Sequence, residues 1–154
     1  MKILIINGPN LNLLGKRDPH FYGVFSLDEI TQMLHNYFYQ DLKAQKSDKL
    51  FFFQSNHEGA LIDFIQKYSA ADGLVINPGA LTHYSYALSD ALRDFPGKKA
   101  EAHLTDIKKR EAFRAISVTG EACGKVFMGK KERSYLEALQ WIVEELKTSI
   151  KISN

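Results

Sequence analysis

Arg17 stands five residues before Tyr22, in the stretch Gly15-Lys16-Arg17-Asp18-Pro19-His20-Phe21-Tyr22-Gly23. A tyrosine takes up a proton only as the phenolate, and a nearby guanidinium favours that form. Long connections bounded by Gly and Pro in compact domains are often lids. The same spacing fits a surface loop whose Arg17 and Tyr22 never meet. Glu101-Ala102-His103 is a second pair. Strand side chains alternate, so Glu101 and His103 share a face. A carboxylate beside an imidazole fixes its tautomer and favours the protonated ring, as a general acid requires. A structural pair on the sheet would read the same way.

Other candidates have plainer alternatives. Asn77 ends an apolar run and can hold a ligand hydroxyl or satisfy loop backbone groups. His83 follows the Pro78-Gly79 turn and suits a polar loop position or a helix cap as well as a site. Arg110 and Arg114 are four apart and share a face if that stretch is helical, which also describes a solvated basic face. His57, His83 and His103 lack the H-x-H or H-x-x-x-H spacing of a local metal clamp, so no metal site is expected. His20 and His35 should face solvent. Cys123 is the sole cysteine, which rules out an intrachain disulfide and suits a small filler. The signatures G-x-x-x-x-G-K-[ST], G-x-G-x-x-G and G-x-S-x-G are absent.

The elements that must position these residues alternate between short apolar runs and helical periods. Ile3–Ile6 reads as a strand buried on both faces. Ser26-Leu27-Asp28-Glu29 is a capping box that opens a helix with Ile30, Met33, Leu34, Tyr37 and Phe38 inward. Leu50–Phe53 is a second strand. Asn56 is expected to cap a helix that turns Leu61, Ile62, Ile65 and Tyr68 inward. Leu74–Ile76 is a third strand, Tyr84–Leu92 a helix, Ala100–Leu104 a fourth strand and Gly124–Met128 a fifth. Tyr135, Leu136, Leu139, Ile142, Val143 and Leu146 mark an amphipathic C-terminal helix. Strand–helix repeats imply right-handed crossovers between parallel strands. The expected fold is α/β: a flavodoxin-like, doubly wound five-stranded parallel sheet of order 2-1-3-4-5. Ligands bind such sheets beyond the carboxyl ends of the strands. The polar segments Asn7–Asn12, Asn77–His83 and His103–Asp106 should meet there.

Composition narrows the class. The 154 residues suit one domain, 1–154, with 45% hydrophobic and 25% charged residues. A net charge of +2 is too small to argue for nucleic acid or an anionic membrane surface. No apolar stretch approaches the ~18 residues of a membrane-spanning helix. The opening apolar run is too short for a signal peptide, so a soluble cytoplasmic protein is expected.

Taken together, the segments resemble the type II 3-dehydroquinate dehydratases over nearly the whole chain. The resemblance rests on Asn7-Gly8-Pro9-Asn10-Leu11-Asn12-Leu13-Leu14-Gly15, Arg17-Asp18-Pro19 with Tyr22-Gly23, and Ser55-Asn56-His57-Glu58-Gly59. It continues through Ile76-Asn77-Pro78-Gly79-Ala80 with Thr82-His83, Glu101-Ala102-His103-Leu104, and Arg110-Glu111-Ala112-Phe113-Arg114. It implies conversion of 3-dehydroquinate to 3-dehydroshikimate in the shikimate pathway, by anti elimination through an enolate. On it, Tyr22 is the general base and Arg17 the lid arginine that activates it. Asn10 belongs to the site of an enolate-stabilising water. His103 is the general acid and Glu101 orients it. Asn77, His83 and Arg114 bind substrate hydroxyls, and Leu104 and Thr105 bind the carboxylate through backbone N–H groups. Asp90 reaches the site of a neighbouring subunit in a homo-oligomer, a trimer-based dodecamer. No metal or organic cofactor is needed, because hydrogen bonds can stabilise an enolate.

The chain departs from the family pattern in places. Thr105-Asp106 replaces Ser-Asn, which adds a negative charge near the carboxylate-binding position, and Leu81 stands where an aromatic is common. Gly129-Lys130-Lys131-Glu132-Arg133-Ser134-Tyr135 is charged where the family has a glycine-rich turn, which bears on local backbone and subunit packing. An inactive member that binds a ligand or serves an assembly is the alternative reading. A flavin binder or receiver domain is disfavoured, because the loop after strand one lacks a Ser/Thr-rich phosphate cradle and paired acids.

Overall fold

The computed structural model describes residues 1–152. Its five strands form one parallel sheet: β1 (Lys2–Asn7), β2 (Lys49–Gln54), β3 (Gly73–Asn77), β4 (Lys98–His103) and β5 (Lys125–Met128), in the order β2-β1-β3-β4-β5. The helices are α1 (Pro19–Tyr22), α2 (Leu27–Asn36), α3 (Glu58–Lys67), α4 (Tyr86–Asp94) and α5 (Arg133–Ile152). The strand order agrees with the sequence expectation.

β1 shows why the sheet is covered twice. Ile3 and Ile5 join a core with α2 and α5 residues, including Ile30, Leu34, Leu139 and Ile142. Leu4 and Ile6 point the other way, into a second core with Leu61, Ile65, Leu88 and Leu92 of α3 and α4. Period-two alternation therefore feeds both faces, and none of the four β1 side chains exceeds 1% exposure. α2 opens with the capping box: Ser26 Oγ accepts from Glu29 N at 3.2 Å and Glu29 Oε2 accepts from Ser26 N at 2.8 Å.

Three local expectations are corrected. α2 stops at Asn36 and passes into a wider turn, Tyr37–Asp41, closed by Leu42 N donating to the Tyr37 carbonyl at 2.9 Å; Phe38 stays fully buried there. Asn56 does not cap α3. His57 holds that position, and Asn56 Oδ1 instead accepts from Asn10 N at 2.9 Å and Gln54 Nε2 at 3.1 Å. Residues Gly79–His83 form a separate tight turn, so α4 begins at Tyr86 rather than Tyr84, with Ser85 Oγ accepting from Leu88 N.

Candidate active site

The carboxyl ends of β1, β3 and β4 open on a single cavity of about 140 Å³. Asn10, Arg17, Tyr22, Asn77, His83, His103, Leu104, Thr105 and Arg114 all line it, as does Arg110. Ten polar or backbone-presenting positions from separate segments thus meet where the sheet rule places a ligand. Close packing at the rim requires Gly8: a Cβ there would lie 2.3 Å from the Pro78 carbonyl oxygen. The Gly8 N–H donates to the Asn77 carbonyl at 2.8 Å, tying the ends of β1 and β3 together.

The lid carries Tyr22. Asp18 caps its single turn, its side chain accepting from His20 N at 2.9 Å, and Pro19 occupies the first helical position. Arg17 stacks on the Tyr22 ring, with the guanidinium carbon 3.6 Å from the centroid. It is Arg110 that donates to the phenolic oxygen, Nη1 to Oη at 3.3 Å. That bond is the main cause holding the Arg110 guanidinium above its ordinary value, against the opposing effect of burial. The expected pairing of Arg17 with Tyr22 exists, but through the ring face; the contact with the phenolic oxygen belongs to Arg110. Arg110 and Arg114 would share a face if their stretch were helical, and it is not one helix. They sit at the ends of two separate tight turns, Ile107–Lys109 and Ala112–Arg114, and converge on the cavity all the same.

On the opposite wall, Glu101 and His103 share a face of β4 as the alternation requires. Glu101 Oε1 and His103 Nε2 are 2.6 Å apart, and Glu101 is fully buried. Its carboxylate also accepts from Thr82 Oγ1 at 2.9 Å, Ser117 Oγ at 2.8 Å and Thr119 Oγ1 at 2.5 Å. Burial pushes the Glu101 carboxyl up, but His103, then the Thr119 and Ser117 hydroxyls, together hold it below its usual value. Glu101 does not line the cavity; it fixes His103 from behind and leaves Nδ1 as the ring nitrogen for a ligand.

The remaining candidates divide. Asn77 uses Oδ1 to accept from Gly79 N at 3.1 Å and Nδ2 to donate to Tyr135 Oη at 2.9 Å, so it shapes the loop as well as lining the cavity. His83 Nδ1 meets the Ile116 carbonyl at 2.8 Å, which leaves Nε2 for a ligand. Arg114 Nε is buried without a hydrogen bond, although Glu111 Oε2 lies 3.3 Å away as an ion partner. Asp90 is exposed on α4 and does not line the cavity. The carboxylate of Asp106 is turned away: it accepts from Lys108 N at 3.1 Å and lies 3.6 Å from Lys109 Nζ. Cys123 is half-buried, and burial pushes its thiol up, as befits packing. Sequence reasoning missed the role of Tyr135, read only as part of a helix face. Its hydroxyl donates to Asn7 Oδ1 at 2.6 Å and accepts from Asn77, locking two strand ends beneath the cavity.

The class II dehydroquinase family model matches residues 1–143. Among relatives, the 3-dehydroquinate dehydratase of Thermotoga petrophila is 46% identical over 147 residues, covering 95% of this chain and 97% of that protein. That of Roseiflexus castenholzii is 47% identical over 144 residues, covering 93% and 88%. The crystal structure of a type II dehydroquinase from Butyrivibrio crossotus superposes with a TM-score of 0.86 at 43% identity, covering 92% of this chain and 97% of that one.

Proposed function

The chain belongs to the class II dehydroquinase family, and on that premise we propose that it dehydrates 3-dehydroquinate with Tyr22 as base and His103 as acid. One observation carries the reading. The Tyr22 oxygen, held by Arg110, and the His103 ring, held by Glu101, border the same cavity from different elements.

The substrate is a β-hydroxy ketone. Tyr22, as phenolate, takes the proton from the carbon next to the ketone, and the electron pair becomes an enolate. The enolate re-forms the carbonyl as a carbon–carbon double bond forms and the β carbon–oxygen bond breaks. His103 protonates the departing oxygen, which leaves as water. The proton held by Tyr22 must return to solvent or to His103 before the next turnover. Positive donors near developing oxyanions contribute most when fixed beforehand. Arg110 and Arg17 are fixed by the Tyr22 contacts, and Asn10 is held by Asn56 with a left-handed backbone, φ 66°. His83, Arg114 and Asn77 are the groups for substrate hydroxyls. The backbone at Leu104 and Thr105, at the end of β4, is the place for the carboxylate.

No residue of the altered Gly129–Ser134 segment lines the cavity, and Tyr22, His103, Arg17 and Asn77 are all in place along it, which favours an active enzyme over an inactive member. The assembly is a homo-oligomer, a trimer-based dodecamer, in which Asp90 serves a neighbour's site. Its exposed position supports this, as do the exposed side chains of Tyr84, Tyr86, Phe113 and Ile116 near the rim. The proposed location is the cytoplasm; no helix among the described residues is long and apolar enough to cross a membrane. Adding 3-dehydroquinate and following the ultraviolet absorbance of the enone product tests the activity; no absorbance rise contradicts it. Light scattering of the active enzyme tests the assembly, and an active monomer contradicts the shared site.

A further inference from the structure

Lys131 lies between β5 and α5, outside the cavity lining, and makes contacts in two directions. Its backbone is left-handed, φ 52°, and its N–H donates to the Leu104 carbonyl at 2.9 Å. Leu104 directly follows His103. The side chain runs toward the lid. Its Cδ passes Gly23 at 3.4 Å from where a Cβ would stand, and Gly23 needs its freedom there, with φ 80°. The ammonium then donates to the carbonyls of Pro19 at 2.9 Å and His20 at 3.1 Å. Both carbonyls belong to α1, the turn that ends on Tyr22.

A helix of four residues is one costly nucleus with little to propagate it, so its order must come from outside. The Pro19 carbonyl also accepts from Gly23 N at 3.0 Å, the bond that closes the turn, and the last carbonyls of a helix carry the negative end of its dipole. An ammonium on two of them supplies charge-assisted bonds where the turn most needs them. Lys130, one residue earlier, does something else: its ammonium pairs with Glu137 at 2.9 and 3.0 Å, on α5.

We propose that Lys131 is a positioning residue for Tyr22. It ties the lid turn to the backbone beside His103, so the separation of base and acid is set by a strut lying outside the cavity. This rests on the reading of Tyr22 as base. The comparison is between Lys131→Met, which keeps the stem and loses the ammonium, Lys131→Arg, which keeps a donor, and Lys130→Met as the charge control. Amide hydrogen exchange of residues 17–23 reads the lid, exchange in β1 and β3 reads the fold, and steady-state kinetics read kcat and KM.

In Lys131→Met, lid exchange should speed up while β1 and β3 stay protected. A misplaced catalytic group can cost about 100-fold, so kcat should fall roughly 10- to 100-fold with KM little changed. Lys131→Arg should recover most of both, and Lys130→Met should match the parent. Unchanged lid exchange in Lys131→Met overturns the inference. So does faster exchange with parental kcat, and so does a loss that Lys130→Met shares. Tyr22→Phe run alongside separates the two levels. If it is inactive while Lys131→Met is normal, only the strut fails; if it remains active, the base assignment fails and takes the strut with it.

Discussion

Arg110 donates to the hydroxyl of Tyr22 across 3.3 Å, although 88 residues separate them in the chain. Arg17, five residues from Tyr22, lies on the face of the same ring at 3.6 Å. One arginine therefore meets the oxygen proposed to take the substrate proton, and the other meets the ring. The two contacts should not be equivalent when removed.

Arg110→Met should slow both proton removal and dehydration by about 10- to 100-fold, because it deletes a preorganised donor on the base. Arg17→Met should cost less in proton removal, since it deletes a stacking contact worth about 0.5–2 kcal/mol. Steady-state rates beside the rate of proton exchange at the carbon next to the ketone check this. Equal losses in the two variants would count against the division of labour.

Glu101 should give the enzyme an acid-labile share of its stability. Its folded carboxyl is held below the usual value of about 4.5 by His103 and the surrounding hydroxyls, despite burial. A carboxylate with a depressed value stabilises the fold above the unfolded value and loses that contribution as pH falls through the folded one. Glu101→Gln should therefore lower stability at neutral pH by about 1–3 kcal/mol. The gap between parent and variant should hold from pH 7 to about 5 and shrink below that. Denaturant melts across this range measure it. A gap that widens on acidification would reverse the sign and refute the assignment.

Tyr135→Phe should be costly for a substitution that keeps the ring. It strips partners from the buried Asn7 and Asn77 side chains. An unsatisfied buried polar group costs about 1–3 kcal/mol. Because Asn77 lines the cavity, KM should rise as well. Urea unfolding with KM measurement checks both; loss of stability with KM unchanged would separate Asn77 from substrate.

What could be read in the sequence was local or periodic. The Ser26/Glu29 box, the two-sided burial of Ile3–Ile6 and the common face of Glu101 and His103 each follow from spacing within a few residues. What could not be read depends on contacts brought together by the sheet. Arg110 looked like one half of a basic helix face because nothing local shows that its turn ends over Tyr22. Asn56 looked like a helix cap because capping residues also serve loops, and here its oxygen serves Asn10. Tyr135 sits on an apolar helix stripe, where a hydroxyl gives no periodic signal. The charged segment after β5 read as a disturbance, yet Lys131 from that segment bonds the lid.

The most direct test of the central claim, that Tyr22 and His103 act in different steps, is proton exchange at the carbon next to the ketone in deuterated water. Loss of a general acid or base commonly costs about 10²–10⁴-fold in rate. His103→Ala should lose dehydration to that extent and still exchange the substrate proton, because Tyr22 and Arg110 remain. Tyr22→Phe should lose both exchange and dehydration. Exchange at close to the parental rate in Tyr22→Phe would show that another group is the base.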